Sequence, residues 1–578
     1  MKYRLSFDRP QEHIITVHCQ FTAPGDQPIL GLPFWRPGRY AAQTFARNIG
    51  DLSATDASGQ AVSIDRISKL QWQIDAEAGT EINLQYTYYT HQLDAGGSYY
   101  DQKQIYLNGI TLFLYLKDHL DQACSLSLDI PKDYEVAGGM YGQEQPFQFE
   151  DYHQLVDSPF FAASDLQKRQ FTVSGVEVFL WFMGDCQPDL DRMERDIRAY
   201  SEAQIAFFGS CPVDTYHYLF YLLPYRYRHG VEHYNSTVIV MGPGYKLMER
   251  EMYRSFLEIS SHEFFHTWNV KALRPADLYP YRYDSEVYSR LHYVTEGVTT
   301  YYGDLMLWKS GVWGAQQWMD SINGELRTFY QMGGREAISL AKASFESWIN
   351  GYDDSGMPNR RISFYTKGYL VAMLLDFDLR RRTQGRVSLD LVMQIMYDRI
   401  TSEGRGYTRE NYQGIIEELS GASYEDFFAD YIEGTRSLEG MLNEMGEYYG
   451  LQMRHMPIGS PAQSFWGLKT KANDTGVLVE KILPHSPLIE AGLHPGDQII
   501  SINGTKIDGD FEELLTYHWP KGEVVLHYFK MKQLQEVRLS CPMQPQYTVP
   551  QFWLVANQED PQQARFQSWR SLSRAPIS

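Results

Sequence analysis

The pattern of apolar and polar positions changes character several times along the chain. From residue 1 to about 170, apolar positions come in short β-branched and aromatic runs: "HIITVHCQF", "EINLQYTYYT", "ITLFLYL" and "CSLSLDI". Gly, Pro and Asp separate them. Such runs predict strands, and an antiparallel β-sandwich buries one face of each. Residues 190–208 have helical spacing, whereas "TYHYLFYLLPY" (215–225) and "STVIVMG" (236–242) read as strands bracketing the 226–235 connection. From about 246 to 440 helical patterns dominate. Composition shifts again at "HMPIGSPAQS", near 455–465, and mixed strand and turn follow until a polar tail begins near 546. The expected organisation is a β-sandwich domain over 1–170, a helix-rich second domain over 171–455, a small module over 456–545 and a tail over 546–578. Together they make a multidomain α+β protein.

One helix breaks its own pattern. Before Pro275, Met252, Phe256 and Ile259 fall at i, i+4 and i+7 and form an apolar stripe. The same spacing continues into Glu263 and His266, with His262 alongside, in "SSHEFFHTWNVK" (260–271). A buried face therefore turns abruptly from apolar to ionisable. Burying such groups without partners costs about 2–7 kcal/mol each. A divalent metal compensates directly, because histidines four apart on one helix project to the same side and reach one zinc ion. Glu263, beside them, is placed to take a proton from a water activated by that metal. The bland alternative is an HExxH satisfied by ordinary hydrogen bonds, and the motif's place on the buried stripe weighs against it.

Composition narrows the class. Lys+Arg 52 against Asp+Glu 72 gives a net charge of −20, which repels nucleic acid and anionic membrane alike. No run reaches the eighteen or so apolar residues of a membrane span. The five cysteines, Cys19, Cys124, Cys186, Cys211 and Cys541, are widely spaced with no CxxC, as expected of reduced thiols in a cytoplasmic protein. The first twenty residues carry no continuous apolar run, so no signal peptide is expected.

A catalytic zinc needs a third protein ligand. In "LHYVTEGVTTYYGDLML" (291–307), Leu291, Val294, Val298, Tyr301 and Leu305 make an apolar face, with His292, Glu296, Thr299, Thr300 and Gly303 on the neighbouring one. Small residues there let this helix approach the first closely. His292 and Glu296 are both chemically possible ligands, and a core or hydrogen-bonding role suits His292 better.

"HEFFHTWNVKALRP" with "TEGVTTYYGDLML" resembles the glycyl aminopeptidase family of zinc metallopeptidases, and "LPFWRPGRYAAQTFARNIG" (31–50) is similar to that family's N-terminal signature. The family belongs to the gluzincins. The resemblance implies a thermolysin-like catalytic domain over 171–455 and one zinc per chain, held by His262, His266 and Glu296. Glu263 is then the general base. "HGVEH" (229–233) is similar to the G-x-M-E-N motif of aminopeptidase-N-like relatives and includes Gly230. It implies that Glu232 holds a substrate's free amino terminus, with His233 replacing the relatives' Asn. "YTKGYLVAMLL" (365–375) is similar to their Y-x-K-G motif, which implies that Tyr365 stabilises the tetrahedral intermediate.

The resemblance extends to the 456–545 module. "FWGLK", "GVLVEKILPHSPLIEAGL" and "GDQIISINGTKI" look like a bacterial-type PDZ domain, with Gly467 and Leu468 in its carboxylate-cradling loop and Asn503-Gly504 at a tight turn. A peptide C-terminus is the partner that such a loop would take, and packing on the catalytic domain is the alternative role. The implied activity is hydrolysis of peptides with a free N-terminus, at small residues such as Gly or Ala. The alternatives are a zinc endopeptidase, or an inactive body that binds peptides through the PDZ module.

Overall fold

The computed structural model describes residues 1–352, 356–556 and 559–572, so the last six residues of the tail lie outside it. Its N-terminal part holds three sheets. The largest has seven strands with Lys2–Arg9 near its middle. That strand pairs antiparallel with Ile14–Thr22 and parallel with Cys124–Asp129. Period-two burial of Tyr3 and Leu5, of Ile15, Val17 and Cys19, and of Ile82, Leu84 and Tyr86 lines one face of this sheet. The parallel pair departs from the all-antiparallel expectation. It joins segments more than a hundred residues apart, and no local turn marks it in the sequence.

The chain passes from these sheets to the next between Ala163 and Gln167, before residue 170. That next sheet has five strands, ordered Gln167–Val173, Val176–Gly184, Thr215–Leu222, Ser236–Gly242 and Tyr227–Glu232. Its middle three strands are parallel and almost wholly buried, as their continuous apolar sequences require. Helix Leu190–Phe208 makes the crossover between the first two of them. Tyr227–Glu232 is different: it is polar, antiparallel to its neighbour and at the sheet edge. One sheet face packs on the N-terminal domain through Tyr106, Phe161, Trp181, Leu219 and Val238. Helices cover the other.

The PDZ module has its own five-strand path and its own core, built on Trp466, Val477, Ile499 and Leu526. It touches the body through polar contacts, including Asn359 Nδ2 to the Ile482 carbonyl at 2.8 Å. The tail returns: Thr548–Leu554 pairs with Leu451–Pro457, and helix Asp560–Arg570 buries Phe566 and Trp569 in the main core. The five cysteines are unpaired. No described helix is long and apolar enough to cross a membrane.

Candidate active site

Helix Arg250–Phe265 runs beneath the edge strand and delivers His262, Glu263 and, at its C-cap, His266. Beyond His266 the backbone kinks at Asn269, which has φ −108° and ψ 86°. The kink turns the Asn269 carbonyl onto His266, accepting from Nδ1 at 2.8 Å. In the neutral ring this bond keeps the proton on Nδ1 and leaves Nε2 as the lone-pair atom. The Asn269 side chain also donates to the Val294 carbonyl at 2.9 Å and to Thr299 Oγ1 at 3.0 Å. It thereby clamps the segment Tyr293–Val298, which carries Glu296. Further along, a Cβ on Gly303 would sit 3.0 Å from the His262 Cα, the close approach that the small residues of 296–303 allow.

Three donor atoms converge. His266 Nε2 lies 3.0 Å from His262 Nε2 and 3.4 Å from Glu296 Oε2, which lies 3.8 Å from His262 Nε2. A tetrahedral ion bound at about 2.0–2.1 Å keeps its ligand atoms roughly 3.3 Å apart, so these residues fit zinc. The surroundings agree. Glu263 and Glu232 are buried, and one oxygen of each has no hydrogen-bond partner. Like charges this close need a cation. Burial, with Glu232 and Glu296 nearby, pushes the Glu263 carboxyl up to about 8. Burial pulls His266 down, but Glu296 and Glu232 outweigh it and hold the ring up to about 10.

Glu232 ends the edge strand, and the turn after it is locked by Asp157. This carboxylate pairs with Lys271 at 2.7 Å, with His233 Nδ1 at 3.0 Å and with the Tyr234 amide at 3.0 Å. Gly230 faces Glu263: a Cβ there would collide with the Glu263 carboxylate and displace it. The N-terminal signature supplies a wall. Gly38, at φ +79°, packs directly on the Glu232 carboxylate, and the Tyr40 hydroxyl lies 3.4 Å from Glu296 Oε1. His292 stays outside the converging group. It is fully buried, stacked on Tyr40 at 3.6 Å between ring centroids, and its nitrogens have no hydrogen-bond partner. Tyr365 lines the same cavity, of about 740 Å³, as the two histidines, Glu263, Glu296 and Glu232. Burial drives its hydroxyl pKa well upward, which keeps the proton in place for donation. Asn269, Asp157, Lys271, Gly38 and Tyr40 are the residues that sequence reasoning did not place here.

In the PDZ module, Gly467 caps helix Pro461–Trp466 at φ +64°. Its amide donates to the Gln463 carbonyl at 2.9 Å, so it is already committed. Leu468 is buried and opens the edge strand Leu468–Asn473, opposite Ile482.

Comparison with known proteins matches residues 2–164 to the peptidase M61 N-terminal domain, 255–371 to M61 glycyl aminopeptidase and 456–510 to the PDZ domain. An aminopeptidase N family protein from Idiomarina loihiensis is similar throughout: 25% identity over 99% of this chain and 100% of that one, TM-score 0.89. An M1 zinc metallopeptidase from Deinococcus radiodurans, solved with a Tyr-Ser-Ala substrate, is more distant: 16% identity over 76% of this chain and 94% of that one, TM-score 0.46. No curated protein matches the sequence.

Proposed function

Because this chain belongs to the M61 glycyl aminopeptidase family of metallopeptidases, we propose that it is a zinc-dependent enzyme removing small N-terminal residues from peptides. The observation that carries this reading is the convergence of His262, His266 and Glu296 beside two buried carboxylates, Glu263 and Glu232, each with one unpartnered oxygen, in one cavity.

His262, His266 and Glu296 would hold the ion, which supplies Lewis acidity toward water and the scissile carbonyl. The chain's own residues do the rest. An extended peptide lies along the edge strand Tyr227–Glu232, and Glu232 accepts hydrogen bonds from its ammonium group. That pairing sets the register, so one residue extends past the reacting bond. Gly38, packed on Glu232, walls the end of the cavity that would take the first residue. Glu263 takes the proton from the attacking water and returns it to the leaving amine. The Tyr365 hydroxyl donates to the oxygen on which negative charge develops. The PDZ module adds an edge strand, Leu468–Asn473, on which a second peptide could pair.

Glu232→Ala tests the assignment. Rates on free-amine peptides should fall far more than on N-acetylated ones, and equal losses would remove the exopeptidase reading.

A further inference from the structure

The catalytic cavity does not stop at the converging donors. It continues to a second group of carboxylates, Glu258, Asp304 and Glu325. Its position follows from the helices. Gly303 packs on His262 and Thr299 on Asn269, so the two helices run antiparallel, Asp304 comes beside the Ser261–His262 level and Glu258 lies one turn further back. Glu232 lies within 4.8 Å of Glu263 and His266. Glu258 stands eight residues before His266, about 12 Å back along the helix. Glu258 therefore lies on the side of the metal-ligand cluster away from Glu232, and Asp304 and Glu325 line the same cavity. A peptide anchored at Glu232 by its ammonium would send its leaving portion toward them.

These three acids are only partly balanced from within: Arg254 and Arg228 line the same cavity, and they attract Asp304 and Glu325 at longer range. Arg254 pairs with Glu258 at 2.8 Å. Among the described residues, no basic group lies within ion-pair distance of Asp304 or Glu325. Asp304 is only 8% exposed, yet it accepts a hydrogen bond on one oxygen alone, from Ser321, and its carboxyl faces the cavity. One buried oxygen of Glu325 has no partner. Burial and repulsion from Glu258 and Glu325 push Asp304 well above the usual carboxylate range, and an incoming cation would relieve that repulsion.

We propose that Asp304 and Glu325 form a subsite for a lysine or arginine side chain at the second position of the peptide, so that cleavage is fastest just before a basic residue. The proposal rests on the aminopeptidase reading and names the substrate class within it. An acidic sequence patch alone would not show it, because Glu258, Asp304 and Glu325 lie on three different helices.

The test compares kcat/KM of the zinc-loaded full chain on Gly-Lys-Ala, Gly-Ala-Ala, Gly-Glu-Ala and Gly-Ala-Lys. Gly-Lys-Ala should exceed Gly-Glu-Ala by about tenfold or more, the usual worth of a buried charge-assisted contact. Glu325→Gln and Asp304→Asn should each narrow that ratio. If Gly-Ala-Ala is cleaved and Gly-Lys-Ala is no better, the subsite is refuted while the aminopeptidase reading stands. A preference confined to Gly-Ala-Lys refutes its placement. Failure to cleave any of the four refutes the aminopeptidase reading. Calorimetric binding of Gly-Lys and Gly-Glu to the Glu263→Gln chain reads the subsite without turnover, and equal affinities would overturn it.

Discussion

Gly297 and Gly368 meet backbone to backbone: a Cβ on Gly297 would lie 2.5 Å from the Gly368 Cα, and one on Gly368 would lie 2.7 Å from the Gly297 Cα. Gly297 follows Glu296, and Gly368 stands three residues after Tyr365. The contact sets the spacing between the segment that carries Glu296 and the helix that carries Tyr365. Gly297→Ala or Gly368→Ala must push the two apart. Zinc affinity should fall by about 10–100-fold, the usual cost of disturbing a ligand's support. Competition against a chromophoric chelator measures it.

The proposed base, Glu263, should be separable from the metal. Glu263→Gln keeps all three converging donors, so it should bind zinc normally while kcat falls by about 10²–10⁴. Gly230→Ala, which drives a methyl group into the same carboxylate, should reduce turnover without unfolding the chain. Zinc content and steady-state kinetics on one preparation decide both.

Metal binding should release protons. In the metal-free protein His266 is held protonated up to about 10, against the pull of burial, by Glu296 and Glu232. Its proton must leave before Nε2 can bind an ion. Apparent zinc affinity should therefore rise as pH climbs from neutrality toward 10, by about tenfold per unit for each proton displaced. Glu263, raised to about 8, is free to add to the release. Calorimetry in buffers of different ionisation enthalpy counts the protons, and a count of zero at pH 7 would contradict the electrostatics described.

The C-terminal helix should matter to stability. Trp569 is fully buried, stacks on Tyr449 at 4.5 Å and donates from Nε1 to the Tyr301 hydroxyl at 2.9 Å. Tyr301 lies on the helix that follows Glu296. Trp569→Ala should cost about 3–5 kcal/mol of unfolding free energy. Denaturant unfolding, read on the zinc-free chain to keep metal linkage out, is the measurement.

How much of this was legible in the sequence depended on sequence distance. His262, Glu263 and His266 declared themselves because helical spacing is local. Glu296 needed a family resemblance to be preferred over His292, and the structure shows why periodicity alone did not separate them: both sit in the same buried stretch, and only packing turns one toward the histidines. Asn269 was invisible because its role comes from a kink that no residue pattern announces. Gly38 and Tyr40 stood in a recognised signature, yet nothing local tied residues near 40 to a site near 262 and 296. The Asp157–Lys271–His233 cluster joins three distant segments in the same way. The parallel pairing of Lys2–Arg9 with Cys124–Asp129 and the return of Trp569 are long-range contacts as well. Gly467 shows the opposite limit. Its motif was clear, but its amide turned out to be committed to a helix cap.

The most direct measurement is zinc content and free-amine peptide hydrolysis on the same preparation, for the natural chain and for Glu296→Ala, before and after chelation and zinc readdition. The natural chain should carry one zinc per chain, lose hydrolysis with the metal and regain it on readdition, and Glu296→Ala should hold little of either. A metal-free chain that cleaves as fast as the loaded one, or a Glu296→Ala protein with full zinc and full activity, would contradict the account.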